Sequence, residues 1–283
     1  MKIKKWIRTT RKLIREYPVP GSIAAVFLAL GLSRFSSQLL RMLPESILRD
    51  YLTQFGGILS VWLVVWFFGY QWCYRRGSTV KTILAGLPLI LLMGFMLIST
   101  LLPVLTTPDV EWLPAERIVL GILKLFEIGF LEESLFRGIT ANCLGIRYGR
   151  DTGGIWFSVI VSGFIFGAAH MMNASIGVNL LNALAQSVTA WVFGMYFAAI
   201  YFRGGNIWVM IFIHSLTDSS GLFHTLFTAT EITRVDAINQ SGFQEWYFYL
   251  FILALTVLLL RKSKMSVVIT NLHSAATEDE SFC

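Results

Sequence analysis

The amino-acid sequence predicts an all-α membrane protein, a polytopic bundle of about eight transmembrane helices. Of its 283 residues, 55% are hydrophobic and only 14% are charged, and the mean hydropathy is +0.64. Soluble domains of this length are far more polar. Apolar stretches of about 20 residues, each long enough to cross a hydrocarbon core of ~30 Å as a helix, recur along the chain. The sequence shows no internal repeat and no low-complexity linker, so residues 21–262 are predicted to form one membrane domain.

The first 20 residues are predicted to form a basic amphipathic segment on the membrane surface. Basic residues such as Arg8, Arg11 and Lys12 alternate with apolar residues such as Trp6 and Leu13 at three- and four-residue spacing. A cleaved signal peptide is a weaker interpretation, because the basic region is long and no small-residue cleavage site follows an apolar core. The polar residues 263–283 are expected to form a mobile tail.

Eight spans account for the apolar stretches. They are predicted at residues 21–41, 53–74, 80–105, 117–144, 153–173, 178–202, 205–222 and 245–262. The loops after the second, fourth, sixth and eighth spans are basic, with Arg75, Arg76, Lys81, Arg147, Arg150, Arg203, Arg261, Lys262 and Lys264. Two of the alternate loops are acidic or mixed, with Asp109, Glu111, Glu116, Glu231, Arg234, Asp236 and Glu245. The positive-inside rule therefore predicts that both termini are cytoplasmic.

This charge distribution also limits the partners. The net charge of +6 lies mostly in the N-terminal segment and the short loops, so it indicates topology and predicts no nucleic-acid partner. The lipid bilayer is the expected partner, and the sequence does not indicate an oligomeric state. The membrane is predicted to be the plasma membrane in a bacterial cell or the endoplasmic reticulum membrane in a eukaryotic one.

The predicted fourth span carries five charged residues at membrane depth. A charge at the bilayer centre costs about 2.5–3.5 kcal/mol on insertion scales, so such residues are seldom accidental. Helical spacing predicts one ion pair between Lys124 and Glu127 and another between Glu133 and Arg137. Glu132 falls between these pairs and belongs to neither. We interpret Glu132 as a candidate general base and the pair of Glu133 with Arg137 as structural.

Three other predicted spans contribute polar groups. The fifth ends in FIFGAAHMM, with Phe166 and His170 on one face, and the seventh contains IFIHSLTDSS, with His214 and Asp218 on one face. The sixth carries a stripe of Asn179, Asn182 and Gln186. Each group alone is explained by hydrogen bonds between helices. One glutamate, two histidines and one aspartate on three buried spans together predict a catalytic site.

These motifs resemble the CPBP family, the CAAX proteases and bacteriocin-processing enzymes, also called the ABI family of intramembrane endopeptidases. The motif residues are Glu132, Glu133, Arg137, Phe166, His170, His214 and Asp218. The resemblance covers about residues 117–222 and implies a helical bundle with a conical cavity open to the cytosol. It also implies a glutamate-dependent peptidase that acts on a membrane-associated protein or peptide. Many members have Asn at the position of Asp218, so Asp218 is expected to hold His214 in one tautomer or as a cation.

Other functions stay open at this point. The sequence has no HExxH, GxSG or GxGD motif, and Cys73, Cys143 and Cys283 are isolated. A cofactor is therefore not favoured. Zinc held by Glu132, Glu133, His170 and His214 is the alternative, since carboxylates and imidazoles are competent ligands. A proton-coupled transporter with a buried glutamate is a rival, as is a non-catalytic scaffold or bacteriocin-immunity protein on the same fold.

Overall fold

The computed structural model describes residues 2–108, 110–229, 233–240 and 246–281. These residues form a helical bundle that contains no β-strand. The helices are α1 (Lys2–Glu16), α2 (Pro18–Leu40), α3 (Ile47–Phe68), α4 (Thr79–Thr106), α5 (Ala115–Glu133), α6 (Asn142–Tyr148), α7 (Thr152–His170), α8 (Leu180–Gly204), α9 (Ile207–Phe227), α10 (Arg234–Gln240), α11 (Trp246–Leu259) and α12 (Met265–Ser281). A π-helical segment, Ser134–Ala141, joins α5 to α6 without a break. The predicted all-α fold is confirmed.

Five segments are long and apolar enough to cross a membrane by length and composition. They are Pro18–Leu40, Ile47–Phe68, Thr79–Thr106, Thr152–Ile176 and Leu180–Gly204. The other three predicted spans correspond to α5 with its π-helical extension, to α9 and to α11. The first two carry charged and polar residues that lower their hydropathy, and α11 has only 14 residues. The count of eight spans therefore stays a prediction.

The distribution of polar groups is that of a membrane protein. Large apolar side chains face outward, such as Phe35, Phe55 and Phe95, which are 60–68% exposed. Charged groups are buried instead, and Glu133 and Arg137 are no more than 1% exposed. This arrangement is stable in lipid, where the apolar exterior is solvated and each buried charge needs a partner inside the bundle.

The bundle has two ends, the terminal face and the opposite face. The terminal face carries α1, α12, the loop from α3 to α4 and the turn between α8 and α9. Hydrogen bonds join these parts: Arg11 Nε to Phe67 O (3.0 Å), Ser78 N to Gly204 O (2.7 Å) and Asn271 Nδ2 to Phe202 O (2.9 Å). The opposite face carries the α2–α3 and α4–α5 connections and α10. There Tyr51 Oη donates to Glu116 O (3.1 Å) and Asn182 Nδ2 donates to Asn239 O (2.7 Å).

The predicted end of the second span is wrong. The second span was predicted to continue to residue 74, but α3 ends at Gly69, whose φ of +84° is a left-handed conformation that favours glycine. The chain then turns back into the bundle and buries Trp72 and Cys73. Most of the C-terminal residues 263–283 lie in α12, which buries Val268 and Leu272. Their mobility stays a prediction.

Helices α5 and α9 run antiparallel and in close contact, which positions the polar groups of both. Ser215 Oγ donates to Leu125 O over 3.0 Å. A Cβ added at Gly129 would lie only 2.7 Å from Ser215 Oγ and 2.8 Å from Ile211 O. The absence of a side chain at Gly129 therefore lets the two backbones approach, and it brings the glutamates of α5 to the same level as His214.

Candidate active site

The two adjacent glutamates of α5 point into different surroundings. Successive helical residues lie about 100° apart around the axis, so neighbours cannot share one environment. The Glu133 side chain is 0% exposed, whereas the Glu132 side chain is 24% exposed and lines two cavities. Glu132 is thus the carboxylate that water and a substrate can reach.

His214 on α9 lies between these two carboxylates. Its Nδ1 is 2.6 Å from Glu133 Oε1, and its Nε2 is 3.2 Å from Glu132 Oε2. Asp218, one turn further along α9, has its Oδ2 3.8 Å from the same Nε2. Three carboxylates therefore surround one imidazole, and each favours positive charge on the ring. The structure brings Glu132, His214 and Asp218 together as the sequence predicted.

Arg137 compensates the buried charge of Glu133. Its guanidinium donates to Glu133 Oε1 over 2.9 Å, which is the i,i+4 contact predicted from the spacing. The guanidinium carbon also lies 4.7 Å from the ring centroid of Phe166 and 4.8 Å from that of Phe197. Aromatic faces attract a cation in a desolvated site. Arg137 is thereby held by one carboxylate and two rings, while Glu133 Oε1 is shared between Arg137 and His214.

His170 at the end of α7 completes the group. Its Nδ1 lies 3.0 Å from Phe166 O. A carbonyl can only accept, so Nδ1 carries the hydrogen and Nε2 is left as the acceptor of the neutral ring. His170 lines the same two cavities as Glu132. The structure therefore places a second base beside the space that adjoins Glu132.

Two cavities meet at Glu132 and His170. The first, with a volume of about 310 Å³, lies between α8, α9 and α10, with walls that include Gln186, Phe193, Phe197 and Leu222. The second, of about 300 Å³, lies between α2, α5 and the end of α7, with walls that include Ser33, Arg34, Lys124 and Glu127. Lys124 Nζ is 2.8 Å from Glu127 Oε2, as the spacing predicted.

Two features of this site could not be predicted from the sequence. Phe197 contacts Arg137, and its ring centroid lies 5.4 Å from that of His214. In the sequence, however, it is one of 22 phenylalanines and stands in an apolar helix. The contact of Glu133 with His214 was also missed, because residues on different helices have no fixed spacing in sequence.

The polar stripe of α8 makes contacts to neighbouring segments. Gln186 Oε1 accepts from Asn173 Nδ2 over 2.6 Å, and Asn182 binds α10.

The two histidines considered as zinc ligands differ in what they could offer a metal ion. Both ring nitrogens of His214 face carboxylate oxygens, whereas the His170 Nδ1 donates to a carbonyl and leaves Nε2 with a lone pair. Zinc held by Glu132, Glu133, His170 and His214 stays an alternative prediction. In the described part of the chain, no three His, Cys, Asp or Glu side chains are grouped so that they could hold a metal ion. We therefore derive no step that uses a metal.

Comparison with known protein families finds a similarity over part of the chain. Residues 114–220 match the family model described as type II CAAX prenyl endopeptidase Rce1-like. This match confirms the resemblance based on the three motifs. The matched region, less than half of the chain, is thus similar to CAAX protease-type peptidases, which act on a peptide or protein at a membrane. The five long apolar helices support an integral membrane protein. No curated protein and no solved structure matches the chain.

Proposed function

We propose that this protein is an intramembrane endopeptidase that hydrolyses peptide bonds with water activated by Glu132 and His170. The observation that carries the proposal is the position of Glu132. It is the accessible member of a buried pair of glutamates, lies 3.2 Å from His214 and shares two cavities with His170. A carboxylate and an imidazole beside an open cavity are the groups that general acid–base catalysis requires.

In the proposed reaction, Glu132 takes a proton from water, assisted by Nε2 of His170. The hydroxide oxygen bonds to the scissile carbonyl carbon, and the carbonyl oxygen becomes an oxyanion. His214 Nε2–H donates to this oxyanion, while Asp218 and Glu133 stabilise the positive charge of the ring. The proton then passes to the leaving nitrogen, the C–N bond breaks, and a carboxylate and an amine are released.

Glu133 and Arg137 are proposed to position this machinery. Glu133 orients His214 through Nδ1, and Arg137 compensates the charge of Glu133. Phe166 packs on Arg137, and its ring centroid lies 4.8 Å from that of His170. None of the three needs to contact a substrate. The alternatives, a transporter or a non-catalytic protein, give no reason for an acceptor nitrogen on His170 and a donor on His214 beside one accessible glutamate.

The experiment compares hydrolysis of a fluorogenic peptide library by purified wild-type protein in nanodiscs with that by Glu132→Gln. Glutamine keeps the volume and a hydrogen-bonding amide but cannot accept the proton. We expect a loss of about 10²–10⁴-fold in rate. Glu116→Gln, an exposed substitution on the same helix, is the matched control and should retain activity. A folded Glu132→Gln protein with near wild-type activity would disprove the role of Glu132.

A further inference from the structure

The two cavities extend from the catalytic residues in one direction only. Along α9, which begins at the terminal face, the first cavity is lined by His214 and then by residues further from that face, ending at exposed Gly221 and at Leu222. On α8, which runs the other way, the lining goes from Phe197 back to Gln186. The first cavity also contacts α10, which lies on the opposite face. Water and peptide would enter it from that end.

The second cavity extends the same way. It is lined on α5 by Glu132 and residues that precede it, beginning at Lys124, and on α2 by residues up to exposed Arg34. Leu135 and Phe136, both buried, form its inner wall. It also reaches Ile176, beyond the end of α7, which is 50% exposed. On the other side of Glu132, every residue of the π-helical segment Ser134–Ala141 is buried. The site is therefore closed toward the terminal face and open toward the opposite face.

The terminal face and the opposite face also differ in charge. The terminal face carries a large excess of basic residues: Arg8, Arg11, Lys12, Arg15, Arg75, Arg76, Lys81, Arg147, Arg150, Arg203, Arg261, Lys262 and Lys264. The opposite face carries fewer basic residues: Arg34 and Arg41 are exposed near the end of α2, Arg234 begins α10, and Arg49 and Arg117 contact carboxylates. Asp50 lies 2.5 Å from Arg117 and 4.0 Å from Arg49. Basic loops remain cytoplasmic in membrane proteins.

We infer that peptides reach Glu132 from the non-cytoplasmic side of the membrane. This inference rests on the proposed peptidase function and specifies its substrate class: a peptide segment that is presented outside the cytoplasm, or that enters the bilayer from that side. The apolar wall formed by Phe193, Phe197 and Leu222 suits apolar side chains next to the scissile bond. The cytoplasmic termini and the cytosolic cavity implied by the family resemblance cannot both hold, because the structure places cavity and termini at opposite ends.

Cysteine labelling tests the side of access independently of catalysis. Cys73 and Cys143 are buried, so a Cys283→Ser protein serves as the unreactive parent. Gly221→Cys places a thiol in the first cavity, where an added Cβ has open space, and Arg150→Cys places one at the exposed terminal face. With a membrane-impermeant maleimide on intact spheroplasts, we expect Gly221→Cys to react. Arg150→Cys should react only after permeabilisation.

Three results of this labelling would overturn the inference. Gly221→Cys could react only after permeabilisation, Arg150→Cys could react in intact spheroplasts, or Gly221→Cys could fail to react in either preparation. In the last case the cavity would not be open to water. Ser33→Cys, a near-isosteric change in the second cavity, is a second test of the side from which the cavities are open to water.

Sided hydrolysis then separates this inference from the proposed function. An impermeant fluorogenic peptide library is added to right-side-out vesicles and to inverted vesicles, each with wild-type or Glu132→Gln protein. We expect wild-type hydrolysis at least tenfold faster in right-side-out vesicles. Faster hydrolysis in inverted vesicles would overturn the inference while the peptidase function stands. If nothing is cleaved even in detergent, the proposed function itself fails.

Discussion

At the residue scale, two adjacent glutamates take different roles because they lie on different faces of one helix. Glu133 is buried between Arg137 and His214, so its side chain is held in place by these neighbours. Glu132 adjoins two cavities, so its carboxylate can exchange a proton with water. The two histidines also differ in their partners, since carboxylates contact His214 and a backbone carbonyl contacts His170. These contacts motivate a separate prediction for each histidine.

His170→Ala should lower the peptidase rate by about 10²–10⁴-fold, because it removes one participant in proton transfer. His214→Ala should lower the rate by about 10²–10³-fold, the usual cost of one oxyanion donor. Rates are measured on the fluorogenic library, and thermal melting reports folding. His273→Ala, an exposed histidine on α12, is the control. Unchanged rates in either folded active-site variant would remove that histidine from the mechanism.

At the element scale, the α5 helix and its buried π-helical extension support the site. Arg137 lies in this extension and contacts Glu133 and the rings of Phe166 and Phe197. The segment therefore links three helices, α5, α7 and α8, through one guanidinium. Since no water is present in a bilayer core to solvate a charge, removing one member of this cluster leaves the others uncompensated.

Arg137→Ala should destabilise the protein by about 3–5 kcal/mol, because it leaves the Glu133 carboxylate buried without its cation. Yield, melting temperature and activity should fall together. The control is Arg49→Ala, which breaks an i,i+4 pair of the same residue types, Glu45 with Arg49 (3.3 Å), at the surface. Such a pair contributes about 0.3–0.5 kcal/mol. An Arg137→Ala protein with wild-type melting and activity would reject the positioning role.

At the scale of the whole molecule, the arrangement of basic loops predicts an orientation. Ser78 lies in the basic loop between α3 and α4, where its backbone N–H donates to Gly204 O. A cysteine at position 78 should react with an impermeant reagent only from the cytoplasmic side. Reaction from outside alone would show that the bundle is inserted the other way. The measurement uses the Cys283→Ser parent and intact against permeabilised cells.

The metal dependence of the reaction is also measured on the purified whole protein. We predict that activity needs no tightly bound metal, because a carboxylate with an adjacent imidazole can activate water directly. Elemental analysis of active protein should find zinc far below one ion per chain, and chelators should leave the rate unchanged. Stoichiometric zinc, with activity lost to a chelator and restored by zinc, would instead support a metallopeptidase that uses Glu132, Glu133, His170 and His214.

The sequence by itself determined the class of fold, the region of family similarity and the residues that meet at the site. It could do so because an intramembrane charge is costly, so Glu132, His214 and Asp218 stand out against an apolar background. Helical spacing also predicted the contacts of Glu127 with Lys124 and of Glu133 with Arg137, since residues three or four apart share one face. These inferences depend only on local geometry and solvation.

Only the tertiary structure decided which groups from different helices touch. The contacts of Glu133 with His214 and of Phe197 with Arg137 depend on how α5, α8 and α9 pack, which no spacing within one helix encodes. The closure of the site toward the terminal face likewise follows from the burial of residues 134–141 among several helices. Packing is a property of all the surfaces together, so the side from which Glu132 can be reached became apparent only in the assembled bundle.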